Sequence, residues 1–205
     1  MTARPPEPTE LDSRSVHDVA GTGSNPDGSV ARRYRLDVVA HSVADVVEHA
    51  GGWLFDRSGA GWDVTVLIPD LVRADVRPLR ILGADIADLD SVLEAGGRGR
   101  HPEALAISAA VCDRDSRTNR GLIDALHHGG VEVVVWGDTW VSRPEHLVDP
   151  VAHRLSIAAR AFKAHALVAA SLPAMLNSST ELFRTGLSAL PPLGRDLVPA
   201  DNRPR

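Results

Sequence analysis

Three apolar runs in the middle of this chain each finish on an acid. Val64–Ile68 and Pro69 lead into Asp70, Leu105–Cys112 leads into Asp113 and then Asp115, and Val131–Gly137 leads into Asp138. Carboxylates gathered at neighbouring strand ends can do two kinds of chemistry. They hold a hard cation such as magnesium through oxygen ligands, or they push one another's pKa values apart until acid and base work becomes possible. Asp113-Arg-Asp115 has the Asp-x-Asp form used for magnesium in phosphoryl transfer. Arg114 and Arg117 flank it and can neutralise it, and Asp115 also stands where a helix cap is expected. Asp138 is followed by Thr139, Trp140, Ser142 and Arg143, and an aromatic with hydroxyl and guanidinium neighbours can line a pocket. A small-molecule site is therefore expected at Asp113, Asp115, Asp138, Thr139 and Arg143. Asp70, after Pro69, reads as ordinary turn chemistry.

Other chemistries have little support. Cys112 is the only cysteine, which excludes an intramolecular disulfide and a Cys-based zinc knuckle. At the end of an apolar run it reads as a small packing residue. The nine histidines have no metal-ligand spacing. His127 and His128 are adjacent and diverge by about 100° on a helix. His153 and His165 are three turns apart on the expected last helix, His41 and His49 are eight residues apart, and no His-Glu-x-x-His occurs. They read as scattered surface histidines. Neither Gly-x-Ser-x-Gly nor a Walker loop is present. Gly21-Thr-Gly23 has no strand before it and no helix after it, as a dinucleotide fingerprint requires.

The elements that must carry the acids follow from periodicity. Short Val- and Ile-rich runs separated by helical patterns read as strands of a mainly parallel sheet buried on both faces. In open α/β sheets ligands bind outside the carboxyl ends of the strands. The pattern predicts a three-layer α/β domain over residues 33–171, Rossmann-like in layering, with a small, mainly parallel sheet of about four strands. Val66, Ile68, Ile107, Ala109, Val133 and Val135 are expected in its core, covered by Leu122, Leu126, Leu155 and Phe162.

Arg33–Ala40 reads either as a first strand or as the start of the next helix. Ser42-Val-Ala-Asp45 is a capping-box-like helix start. Val43, Val46, Val47, Ala50 and Leu54 then share a face, with Gly51-Gly52 weakening the middle by ~1 kcal/mol per glycine. Leu79–Leu82 reads as a short edge or antiparallel strand, and Ile86, Leu89 and Leu93 as a helix. Asp149 and Pro150 read as the cap and first turn of the longest helix, ending near Ser171. Arg154, Arg160 and Lys163 would give its solvent side a basic stripe. Residues 172–205 are expected to hold one short helix, Thr180–Leu190, and then a disordered tail. Residues 1–32, rich in Pro, Gly, Ser and Asp, are expected to be a disordered tail as well.

A formal charge of −5 lacks the basic excess of a non-specific nucleic-acid binder. No window approaches the ~20 apolar residues of a membrane span, and no signal-peptide pattern is seen, so a soluble, cytoplasmic protein is expected. Two functions fit. The first is a non-enzymatic regulatory or protein-interaction module, working with a protein partner or as a homodimer. The alternative is a magnesium-dependent small-molecule phosphoryl-transfer enzyme or hydrolase using the acids at the strand rim. No motif specifies a cofactor.

Overall fold

Five parallel strands make the first part of one sheet: β1 (Arg35–Val39), β2 (Asp63–Ile68), β3 (Asp85–Asp88), β4 (Ala104–Ser108) and β5 (Glu132–Trp136). Three more, β6 (Val148–Arg154), β7 (Thr180–Gly186) and β8 (Leu197–Pro199), extend it by antiparallel pairing. The order across the sheet is β3-β2-β1-β4-β5-β7-β6-β8. In this computed structural model residues 33–95, 101–128, 130–137, 148–186 and 196–200 are described.

Strand alternation divides the core between the two faces. Leu36, Val38, Val66, Ile68, Ala106, Val134 and Trp136 lie in one apolar cluster, while Val39, Leu67, Ile107, Val133 and Val135 lie in another. The first cluster is covered by α1 (Val43–His49), α2 (Gly51–Gly59), α3 (Arg77–Ile81) and α7 (Ile157–Ala169). The second is covered by α4 (Leu89–Glu94), α5 (Ala109–Arg114) and α6 (Ser116–His128). The sheet is therefore layered between helices as the sequence implies, and the core residues named from periodicity are buried apart from Phe162.

Several expectations are corrected. The sheet has eight strands and not about four, because the short antiparallel strands carry mixed burial and leave no continuous apolar run. Arg33–Ala40 resolves as strand β1. Leu79–Leu82 is not a strand: Pro78 sits in the first turn of α3, and the strand that follows is Asp85–Asp88. The crossover from β2 thus has room for a helix.

Asp149 and Pro150 do not start a helix. They lie within β6, which pairs with β7 along its length and with β8 at Val151–His153. The long helix begins later, where Ser156 Oγ accepts the Ala159 amide at 3.0 Å. That delay rotates the buried face. Lys163 is 1% exposed and not part of a solvent stripe, whereas Phe162 is 43% exposed and stacks on Phe55 with ring centroids 4.4 Å apart. Thr180–Gly186 is likewise a strand, inserted between β5 and β6. Leu197, expected in a disordered tail, packs against the first apolar cluster. The expected tail 1–32 lies outside the described residues.

Gly51-Gly52 divides the helical stretch in two at Ala50. A Cβ on Gly52 would stand 2.1 Å from Leu155 Cδ2 and 2.4 Å from its Cγ. The second glycine is there because α2 lies against Leu155 without room for a side chain.

Candidate functional site

The carboxyl ends of β1, β4 and β5 bring together a group of buried polar side chains. After β1 the chain passes through Ala40 and His41 to Ser42, whose hydroxyl accepts the Asp45 amide at 3.2 Å and starts α1. The capping-box expectation holds for this arm. The Asp45 side chain has a different role. Asp45 and His49 are four residues apart on α1 and share one edge of it, while His41, one residue before the N-cap Ser42, reaches Asp45 from outside the helix. His41 Nδ1 lies 3.2 Å from Asp45 Oδ2, and His49 Nδ1 lies 3.3 Å from Asp45 Oδ1. His49 Nδ1 also approaches the Asp45 carbonyl oxygen at 3.1 Å.

Ser108 closes β4 and Trp136 closes β5, directly opposite one another in the parallel register. Both are 1% exposed, on the face that also carries Ala106 and Val134. Asp45 is buried as well. Yet His41 Nδ1, Asp45 Oδ2, Ser108 Oγ and Trp136 Nε1 are all buried without an aligned hydrogen bond. His41 and Ser108 approach the carboxylate closely enough to act on its charge, but not in hydrogen-bonding alignment. Buried polar atoms are rarely left in this state.

Burial alone would raise the Asp45 pKa. The hydrogen bond from His49, the Ser108 hydroxyl and the charges of both imidazoles outweigh it and hold the carboxyl below its ordinary 3.8. Asp45 in turn raises His49 above its ordinary 6.5, chiefly through their hydrogen bond, against the opposing effect of burial. The two shifts have opposite pH limits. The contribution from His49 is full below 6.5 and fades as pH rises through its higher folded value. The contribution from Asp45 is present above 3.8 and fades as pH falls through its lower folded value. Melting temperature against pH should therefore fall on the alkaline side more steeply in the native protein than in His49→Gln. Parallel curves would show that the pair does not titrate with folding.

The residues picked out from sequence are placed as follows. Asp113 is exposed on α5. Asp115 precedes α6 and accepts the Arg117 amide at 2.8 Å, as a helix cap does. The Arg117 guanidinium joins the Asp115 carboxylate to Asp90. Arg117 thereby holds Asp115 below the ordinary carboxylate range. Asp115→Ala should cost about 1 kcal/mol of stability through the lost cap, measurable by urea unfolding. Asp138, Thr139 and Arg143 lie outside the described residues. Among the described residues no three His, Cys, Asp or Glu side chains are grouped to hold a metal ion. Cys112 is buried, and its thiol is pushed up to about 12 by burial and then by the charge of Asp113. It is a packing residue.

His41, Asp45, His49, Ser108 and Trp136 are absent from the sequence-derived site. The four-residue spacing of His41, Asp45 and His49 was the legible signal, obscured by reading Asp45 only as a capping acid. Ser108 and Trp136 could not be found without the register. A cavity of about 360 Å³ begins at Ser42, the residue after His41, and runs between the starts of α1 and α3 and the end of α7.

No protein-family model matches this chain, and no curated protein matches it in sequence. Solved structures do match in fold. A deacetylase of the antimicrobial A40926 pseudoaglycone superposes with a TM-score of 0.52 at 14% identity, covering 76% of this chain and 96% of the other. A deacetylase of teicoplanin biosynthesis in complex with teicoplanin gives 0.51 at 13% identity, over 82% of this chain and 100% of that one. The 4-carboxy-2-hydroxymuconate hydratase of Pseudomonas putida gives 0.50 at 14% identity, over 80% and 100%. At these identities the likeness shows the fold. The expectation of a non-enzymatic interaction module is nevertheless corrected, because these three solved structures that share the fold are two deacetylases and a hydratase, which leads away from that reading.

Proposed function

We propose that this chain is a hydrolase-type enzyme that cleaves an acyl bond of a small molecule, such as the amide of an N-acetyl group. The observation that carries the reading is the Asp45 carboxylate, buried between two imidazoles at the carboxyl ends of the parallel strands. Ligands of open α/β sheets bind at that edge. A cavity opens at Ser42–Ala44, next in sequence to His41, and the fold is shared with deacetylases.

In the proposed reaction the Asp45 carboxylate, 3.2 Å from His41 Nδ1, comes into hydrogen-bonding alignment with it when substrate binds, which leaves Nε2 to exchange protons. His41 takes a proton from water as the water oxygen bonds to the acyl carbon. When the carbon–nitrogen bond breaks, the same imidazole returns the proton to the leaving amine. Hydrolysis is preferred to phosphoryl transfer because Asp115, half of the Asp-x-Asp pair, is occupied with the start of α6 and with Arg117.

The test is acetate release from a panel of N-acetylated sugars and amines by the purified full chain. Asp45→Asn and His41→Ala should each lower kcat by about 10²–10⁴-fold, the usual range for a positioned proton-transfer group, with the melting transition retained. No acetate from any member of the panel, or variants as active as the native protein, would overturn the reading.

A further inference from the structure

We infer that Ser108 and Trp136 form a binding site for one neutral oxygen atom at the end of β4 and β5, beside Asp45. The inference deepens the hydrolase reading, on which the identity of a substrate oxygen rests. Ser108 and Trp136 are register partners on adjacent parallel strands, both nearly fully buried. Neither Ser108 Oγ nor Trp136 Nε1 has a hydrogen-bond partner.

Each departs from what the same side chain does in a purely structural setting. Ser108 occupies the N-cap of α5, yet its hydroxyl makes no capping bond, although serine is favoured there for that bond. Trp53, another buried indole of the sheet's helical cover, donates Nε1 to Asp196 at 2.7 Å. A phenylalanine would fill the place of Trp136 without leaving a donor unmet.

The chemistry of the lining selects the ligand. An indole N–H only donates, which excludes a cation at that point. The ionised Asp45 nearby disfavours an anion. A neutral oxygen meets the two donors, accepting from Trp136 Nε1 and from Ser108 Oγ, and a water can in addition donate to Asp45. Two sources share that chemistry: a buried water, which typically makes about three such bonds, and the carbonyl oxygen of an acyl substrate.

Nuclear magnetic resonance of the full chain separates the outcomes through the indole N–H of Trp136. Trp136→Phe removes and so assigns that resonance. If this variant does not fold, the indole resonance shifted by Ser108→Ala assigns it instead. A cross-peak from the Trp136 indole to long-lived water in the free protein supports the site with water as its ligand. Loss of that cross-peak and a saturable shift on titration with acetamide support it with a carbonyl oxygen as ligand. An indole resonance with no water cross-peak and no response to acetamide overturns the inference. None of these readouts passes through turnover. A water cross-peak without acetate release would leave the oxygen site standing and remove the hydrolase reading, and acetate release with a silent indole would do the reverse.

Discussion

Glu181→Ala should cost about 3–5 kcal/mol, the usual loss when one member of a buried ion pair is removed. Against total stabilities of roughly 5–15 kcal/mol for a domain, that is enough to leave much of the chain unfolded. Glu181 on β7 accepts from Lys163 Nζ at 2.6 Å and from the amides of Gly52 and Trp53 at 2.9 and 2.8 Å. It thereby serves as the capping carboxylate of α2, whose own N-cap residue, Ala50, has no side chain for the task. Burial pushes Glu181 above the ordinary carboxyl value, while Lys163 and the two amides oppose the rise.

Removing the carboxylate strands an ammonium in the core with only the Glu48 carbonyl for company and uncovers two amides at once. The double variant Lys163→Met, Glu181→Leu should be far less damaged than Glu181→Ala, since the buried charge leaves with its partner. Urea unfolding of the native protein and these variants checks both expectations. A single-variant loss below about 1 kcal/mol would place the pair among weak, solvent-screened contacts.

Arg57→Ala should be comparably costly, again about 3–5 kcal/mol, with damage concentrated at the C-terminal edge of the sheet. The guanidinium is 2% exposed. It spans Glu132 at 3.1–3.2 Å and Asp196 at 2.7–2.9 Å. It also lies 5.0 Å from the Trp53 ring centroid and 4.3 Å from that of Trp62. Without it Glu132, already raised by burial, loses its counter-charge, and Asp196, just before β8, keeps the Trp53 indole but loses the guanidinium. Hydrogen exchange should then accelerate at Ala200, whose amide bonds the Pro150 carbonyl, more than at the β1 amides. Arg57→Lys should rescue little, because a single ammonium cannot fork to two carboxylates while stacking between indoles. Uniform exchange across the sheet in Arg57→Ala would show that the arginine does not specifically hold β8.

β2, β4 and β5 of the parallel half were legible because they are buried and read as near-continuous apolar runs, broken only by Thr65 in Val64–Ile68 and by Glu132 in Val131–Trp136. β1, with its alternating Arg35-Leu-Asp-Val-Val, also fits a helix start, and the four-residue β3, Asp85–Asp88, is too short and acidic to separate from the helix pattern of Ile86, Leu89 and Leu93. β6 and β7 were not legible for the complementary reason. Their side chains alternate between a covered and an open face, with Leu182 68% exposed beside buried Phe183. Asp149-Pro150 imitates a helix start so well that only pairing with Arg184 and Thr185 across the sheet reveals a strand. The buried ions were hidden differently. Lys163 and Glu181 are eighteen residues apart, and nothing in composition says that two charges of opposite sign will meet in the core. The acids chosen from sequence are those that follow strands, whereas the buried polar cluster is made of His41 before α1, Asp45 and His49 on it, and the last residues of β4 and β5.

The insertion of β7 between β5 and β6 has a consequence during synthesis. β5 pairs with β4 on one side as soon as the parallel part forms, but its other edge waits for residues made much later. Until Thr185 and Arg184 emerge, Val134 and Val135 present an unpaired, strongly apolar edge, the kind that templates pairing with another chain. At ordinary synthesis rates the exposure lasts on the order of seconds. Expression of chains truncated before residue 180 should consequently yield aggregates and not a smaller soluble domain, and a nascent full-length chain depends on rapid arrival of β7 or on chaperone cover over the β5 edge.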